Sequence, residues 1–477
     1  MNLEKKQLTK KSKDISRWYL DLMELADLAD YAPVKGTIVF RPYSYAVWER
    51  IQKIFDAMIK EDGVENAYFP LFIPYSLLKK EKQHIQGFSP ELAIVTIGGG
   101  EELSEKLVVR PTSETIMYSM FAKWLKSYQD LPLKINQWCS VVRWEKRTYP
   151  FLRTMEFLWQ EGHTAHLEKN EAESMALKAL SWYEKLYKEY LALHPLAGMK
   201  SHTEKFAGAE KTYAIETVIE SGKALQAATS HNLGQNFSKA FNIRVLDKKN
   251  NLQYVWQTSW GISTRSLGAV FLGHGDDYGL ILPPKIAPIQ IIILPIEKKD
   301  KLLKKTQEIK EKLSNKTHRV RIDTNFNKGL GWRRNHWEIK GVPLRIEIGE
   351  KEIKEKTLTA VNRLTLKKQK IEESTIYDAV DQILDQIQED LYERSRRKTE
   401  KLIVRITDKQ EFSQALAEKK LAQAWWCENP DCEKKIKEET KATTRVIELE
   451  QIEKKSTKSC FFCRKKAERI WIIGRAY

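Results

Sequence analysis

Four of the five cysteines crowd into the last 51 positions of this 477-residue chain, as Cys427-x4-Cys432 and, after 27 intervening residues, Cys460-x2-Cys463. Two short-spaced pairs of this kind, brought together by a hairpin or small sheet, build a tetrahedral four-thiolate zinc site. A full set of four sulfurs leaves no open position for water or substrate. The spacing therefore points to structural zinc stapling a domain too small to hold itself together, rather than to catalytic zinc. An iron–sulfur cluster or a metal-free set of thiols is the other alternative. The odd total and the isolated Cys139 argue against a disulfide scaffold.

Residues 401–477 thus read as a small α+β domain. Upstream, Pro283, Pro284 and Pro288 mark a second boundary. Beyond it come the strand IQIIILPI, a Lys-rich helix near 300–313, strands at 318–323 and 343–349, and a helix at 375–395. This alternation predicts a compact α/β domain over 289–400. Residues 1–288 read as an α+β domain. Its helices fall at 15–28, 45–58 and 170–191, with a strand-like run over 67–73 and many further strand candidates. The first 13 residues hold five lysines and read as a mobile arm.

The 14 Trp, 18 Tyr and 16 Phe exclude a disordered polyelectrolyte. No apolar run reaches the roughly 20 residues that span a bilayer, and no apolar core follows the N-terminal charges, so a cytoplasmic protein is expected. The net charge of +17 divides as +4 over 1–288, +7 over 289–400 and +6 over 401–477. That asymmetry favours a polyanion partner for the C-terminal modules.

Chemistry concentrates in four patches of residues 110–280. In Arg110-Pro-Thr-Ser-Glu114, Thr112 and Glu114 face one side of an extended segment, a carboxylate beside a hydroxyl that suits an amine; the same residues also resemble a helix start. Next come Arg143-Trp-Glu145 and the run 151–163, where two strands would bring Arg143 and Arg153 together as a clamp for a triphosphate. In that run Phe157, Trp159, Glu161 and His163 are spaced by two and share one face of a strand, which is costly unless it meets a ligand. The third patch holds Gln226, Thr229 and His231. The fourth holds Ser263 and Arg265 among small residues that let backbone approach a nucleotide. No phosphate-binding P-loop or dinucleotide fingerprint is present.

Taken in order, the blocks FPLFIP (69–74), QGFSPELA (86–93), RPTSE (110–114), VVRWE (141–145), FLRTMEFLWQEGHT (151–164), EKFAGA (204–209), LQAATSHNLGQNF (225–237), HGDDYGL (274–280) and GVPLRIEIG (341–349) resemble the prolyl-tRNA synthetase family of class II aminoacyl-tRNA synthetases, in its archaeal and eukaryotic type. The resemblance implies a class II antiparallel sheet binding ATP and L-proline. An anticodon-binding α/β domain and a C-terminal zinc domain follow it, the latter with Cys427, Cys432, Cys460 and Cys463 as ligands. It also implies a homodimer with Pro70 at its interface, tRNA(Pro) as partner, and Mg²⁺ for the reaction. By the same resemblance Thr112, Glu114, Trp159, Glu161, His163, His231 and Ser263 bind proline, and Arg143 bridges its carboxylate and the ATP α-phosphate. Glu145, Arg153, Thr154, Gln226 and Thr229 hold ATP, its adenine stacked between Phe157 and Arg265, with Arg143, Arg153 and Arg265 as the catalytic cations. Tyr477 matches a terminal tyrosine that turns back toward the active site. Tyr278 stands at a variable position and inherits no role, and no bacterial-type editing insertion interrupts the catalytic blocks. Two other readings compete: a synthetase for another amino acid such as threonine, and a non-catalytic RNA-binding protein on a synthetase fold. The first needs a metal site in the core that Cys139 alone does not provide, and the second sits badly with candidate residues that are all of competent type.

Overall fold

The computed structural model describes residues 7–79, 92–219, 222–454 and 456–477. The start of the N-terminal arm and most of the block at 86–93 lie outside them. Among the described residues, eleven strands form one sheet. Numbered along the chain, they are β1 Glu65–Asn66, β2 Leu133–Val142, β3 Glu156–His166, β4 Leu196–Met199, β5 Lys211–Val218, β6 Ala224–Gly234, β7 Trp256–Ser263, β8 Ile403–Arg405, β9 Leu421–Trp426, β10 Thr443–Glu448 and β11 Arg469–Gly474. Their order in space is 8-9-11-10-4-5-6-7-3-2-1. All neighbours are antiparallel except β1 with β2 and β8 with β9.

One face of the central strands is covered by helices Ile15–Leu25, Pro42–Lys60, Lys169–Lys185 and Arg265–His274, which share a core with Trp18, Trp48, Phe55, Tyr183 and Trp260. The second helix begins at Pro42, where a missing N–H costs nothing. Gly162 is required by this packing. A Cβ there would lie 2.2 Å from the Trp260 ring, so the indole occupies the space a side chain would take. The opposite face of β3, β6 and β7 stays open to a cavity.

A separate five-stranded sheet, with three parallel strands (Val320–Ile322, Ile291–Pro295, Leu344–Ile348) and two antiparallel ones (Thr357–Asn362, Lys368–Glu372), packs on helices Asp300–Asn315 and Ile376–Leu402. The last helix runs well past residue 395.

Two local expectations are corrected. Residues 67–71 are not a strand: Pro70 has no N–H to give, and the Phe69 N–H donates to the Gln137 side chain at 2.5 Å. A strand resumes at Phe72–Pro74. In the basic arm, residues 7–13 are docked: the Lys11 ammonium donates to the carbonyls of Leu272 and Gly275, 2.7 Å each.

The C-terminal strands are no appendage, because β10 pairs with β4 through Ile447 and Met199 and makes one sheet of two domains. A bulge between Thr444 and Val446 falls at Arg445. Bulges re-aim side chains, and this guanidinium meets the buried Glu216 of β5 at 2.7 and 2.8 Å. Lys200 approaches the same carboxylate at 3.0 Å, and all three side chains are almost wholly buried. Burial alone raises the Glu216 carboxyl; the two cations outweigh it and hold the group below its ordinary range. Farther along the seam, Gly222 sits at φ +68 with its α-carbon against the Lys419 carbonyl, where a Cβ would lie 1.7 Å from that oxygen. Glu216→Ala leaves two buried cations unpaired, so it should cost about 3–5 kcal/mol of unfolding free energy in urea titration.

Candidate active site and metal centre

The open face of the sheet carries a cavity of about 210 Å³. Strand alternation in β3 sends Phe157, Trp159, Glu161 and His163 into it, as the period of two requires. Thr112, Glu114, Arg143, Gln226, Thr229, His231, Ser263 and Arg265 complete the predicted lining. The helix-start and ligand readings of Thr112 and Glu114 both hold in part. Glu114 is the first residue of helix Glu114–Trp124, and its carboxylate accepts the Thr112 hydroxyl inside the cavity wall.

Arg143 lies over the cavity floor, its guanidinium carbon 5.4 Å from the Phe157 ring and 5.6 Å from the Trp159 ring. Its Nε donates to the Pro111 carbonyl at 3.1 Å. The cation thus lies against the aromatic part of a cavity that Glu114 and Glu161 also line. Arg265 is fixed by donating to the carbonyls of Leu152 and Gln226 at 3.0 and 3.1 Å. Burial, then repulsion from Arg143 and Arg153, brings it down to about 10, so it is still charged at neutral pH. Two arginines facing one space are a standing demand for an anion.

Glu161 is held on several sides. It accepts from the Ser113 hydroxyl, from the Ser113 N–H at 3.2 Å and from Gln137 Nε2 at 3.0 Å. His163 Nε2 lies 3.2 Å away, and the other ring nitrogen meets the Tyr118 hydroxyl at 3.1 Å. Cys139 abuts the same carboxylate at 3.4 Å and accepts from the Trp159 indole at 3.2 Å. His231 Nδ1 faces the Thr212 hydroxyl at 3.0 Å, and its ring stacks on Phe206 at 4.5 Å.

Three predicted residues stand outside this lining. Glu145 and Arg153 face each other at 3.9 Å on the loop before β3, with the Arg153 side chain 46% exposed. Thr154 is buried, and its hydroxyl donates to the Glu156 carbonyl at 2.6 Å. Conversely, Ser113, Gln137, Cys139 and Phe206 were not singled out from the sequence. The signals were that Ser113 falls in the RPTSE block and Phe206 in the EKFAGA block, and that Cys139 is an isolated cysteine. Tyr477 does fold back: its N–H donates to the Ala224 carbonyl at 3.0 Å, two residues before Gln226, and its ring lies 6.2 Å from Tyr149.

The four late cysteines converge, their sulfurs all within 4.8 Å of one another. The pairs Cys427–Cys463 and Cys432–Cys460 are 3.5 and 4.0 Å apart. A tetrahedral zinc at about 2.3 Å from each sulfur sets its ligands about 3.8 Å apart. The donor set therefore fits structural zinc. Cys427 follows β9, and Cys432 sits in the first turn of helix Pro430–Thr440, whose end the Asn429 side chain caps. The other two lie in the turn after Lys458–Ser459.

Three family models match the chain: the tRNA synthetase class II core domain (G, H, P, S and T) over residues 96–273, the anticodon binding domain over 290–383, and the prolyl-tRNA synthetase C-terminal domain over 409–477. Proline--tRNA ligase 2 of Clostridioides difficile is 47% identical across 99% of this chain and 98% of its own length. This chain belongs to the prolyl-tRNA synthetases. The chloroplastic/mitochondrial proline--tRNA ligase of Arabidopsis thaliana is likewise 47% identical, over 98% of the chain and 88% of that protein. The crystal structure of prolyl-tRNA synthetase from Cryptosporidium parvum complexed with halofuginone and AMPPNP superposes with a TM-score of 0.95 at 43% identity, covering 98% of this chain and 99% of that one. As a prolyl-tRNA synthetase, the chain has a class II catalytic core, an anticodon-binding domain and a C-terminal domain with a four-cysteine cluster suited to zinc.

Two measurements probe this geometry. Cys460→Ser should lose the bound zinc at neutral pH, read by metal analysis of the purified protein, because the hydroxyl does not replace the thiolate. Burial pushes His231 down to about 4, whereas the unfolded side chain titrates near 6.5. Between these values the unfolded state binds the extra proton, so stability present above pH 6.5 is lost as pH falls toward 4. Denaturant titrations across that window should show a shallower pH slope for His231→Gln, by up to about one proton.

Proposed function

We propose that this chain is a proline--tRNA ligase, which activates L-proline with ATP and transfers it to the 3′ end of tRNA(Pro). The observation that carries the reading is the position of Arg143, over both Phe157 and Trp159 in a cavity also lined by Glu114, Glu161 and Arg265. At one end, Thr112 and Glu114 receive the proline amine, and Trp159, Glu161, His163, His231 and Ser263 close around the ring. At the other, adenine stacks between Phe157 and Arg265, with Gln226 and Thr229 alongside. Glu145, Arg153 and Thr154 act from the loop above when nucleotide is present. An ATP-analogue complex of a 43%-identical relative supports the nucleotide end.

The chemistry needs no protein nucleophile. The proline carboxylate attacks the α-phosphorus, the bond to the bridging oxygen breaks, and pyrophosphate leaves. Arg143 orients the attacking carboxylate, while Arg143, Arg153 and Arg265 offset charge on the phosphoryl oxygens. Mg²⁺, when bound with ATP, supplies further neutralisation of the phosphates. The terminal ribose hydroxyl of the tRNA then attacks the carbonyl carbon of prolyl-adenylate and AMP departs. Restraints already made by the fold, such as the Glu161 network, keep reorganisation small.

The finer reading follows from the same residues. We assign the chain to the archaeal and eukaryotic type, without a bacterial-type editing insertion, in domains 1–288, 289–400 and 401–477. It works as a homodimer in the cytoplasm. Pro70 is exposed between the exposed Tyr68 and Phe72, which supports a subunit contact there. No described helix is long and apolar enough to cross a membrane.

Proline should stimulate ATP–pyrophosphate exchange above the other nineteen amino acids; an assay in which it does not would sink the assignment. Arg143→Ala should lower proline-dependent exchange by about 10²–10³-fold or more while leaving the oligomeric state unchanged in sedimentation.

A further inference from the structure

Glu433 immediately follows the cluster residue Cys432 on helix Pro430–Thr440, yet it faces away from the sulfurs toward the catalytic domain. It is only 4% exposed. Its carboxylate accepts three hydroxyl groups. One is Ser201 at 2.9 Å, another is Thr203, and the third is Thr444 of β10. Ser201 and Thr203 belong to the segment that leaves β4, two and four residues beyond the Met199 that pairs with Ile447. Lys437, one turn along the same helix, lies 3.7 Å from Glu204.

That segment leads into the cavity. Glu204 and Phe206 line it. The Phe206 N–H donates to the Thr212 hydroxyl at 2.9 Å, the same hydroxyl that faces His231. A buried carboxylate with three charge-assisted partners is among the strongest polar restraints available to a fold. This one connects a cluster cysteine to the wall of the amino-acid end by a path of eight residues, Cys432 and Glu433 and then Ser201 to Phe206. The restraint is not needed to join the domains, because the neighbouring Lys200, Glu216 and Arg445 and the β4–β10 pairing already do so.

We propose that Glu433 is a positioning residue: it anchors the 201–206 segment to the four-cysteine module and so sets where Phe206 and His231 stand against the bound amino acid. The proposal rests on the proline-activating reading above. It predicts that the module affects amino-acid affinity and leaves the nucleotide end untouched.

The test compares wild type with Glu433→Ala, Glu433→Gln and Ser201→Ala, in full-length zinc-loaded protein. In proline-dependent exchange, Glu433→Ala should raise KM for proline about fivefold or more with KM for ATP unchanged. Glu433→Gln, which keeps one acceptor oxygen, should fall between it and wild type. Zinc content should match wild type, and hydrogen exchange at the amides of 201–206 should accelerate in the same order. Combining Glu433→Gln with Ser201→Ala should cost less than the two separate effects multiplied together, because both remove one contact. Unchanged KM for proline and unchanged exchange at 201–206 would overturn the proposal, as would an equal rise in KM for ATP. If Glu433→Ala does not fold, Glu433→Gln and Ser201→Ala give the same discrimination. Wild-type protein lacking proline-dependent exchange would instead defeat the activity assignment, and the amide exchange would still report on the anchor.

Discussion

A carboxylate with two cations, sealed from water at the seam between β4, β5 and β10, is the interaction on which this architecture turns. Glu216 alone would be expensive to bury, and Lys200 and Arg445 alone would be worse. Together they are tolerable only in one register, since a shift of one residue in β10 would turn Arg445 to the other face. The bulge at Arg445 fixes that register. From it follow the continuity of the sheet, the return of the chain end to Ala224, and the placement of the cysteine module beside the cavity wall.

The sheet that floors the cavity separates two jobs. Its helix-covered side is aromatic and tightly packed, with Trp260 filling the place of an absent side chain at Gly162. Its open side is polar and already hydrogen-bonded. Arg143 and Arg265 are tied to main-chain oxygens, and Glu161 to several donors, before any ligand arrives. Rigid backing and pre-tied charges let the same few groups meet a changing charge distribution without moving far.

Strand periodicity made the β3 stripe readable in the sequence, because a two-residue repeat of Phe157, Trp159, Glu161 and His163 admits one geometry. The cysteine spacing was readable for a similar reason: local chemistry sets it. Ser113, Gln137 and Cys139 were not, since each reaches the site through Glu161, which is 22 to 48 residues distant in sequence. Residues 67–71 misled because their composition is that of a strand, while the Phe69 N–H goes to a side chain and Pro70 has none to give. The seam was hidden most deeply. A Glu and an Arg in two separate strands and a Lys just past the end of a third carry no pattern, and the +6 of the C-terminal region suggested a surface property rather than a buried partner.

The pairing of β4 with β10 also imposes an order in time. Residues 196–199 meet strands made about 250 residues later, and a chain emerging from the ribosome folds its earlier domains first. The catalytic sheet therefore spends a long part of synthesis with β4 as an open edge, its Lys200 and Glu216 awaiting their third member. Such an edge is a place where strands of other chains can add. The wall of the cavity becomes complete only when the cysteine module has been made and has closed on it, so the early domain waits for the late one before it can take its final shape.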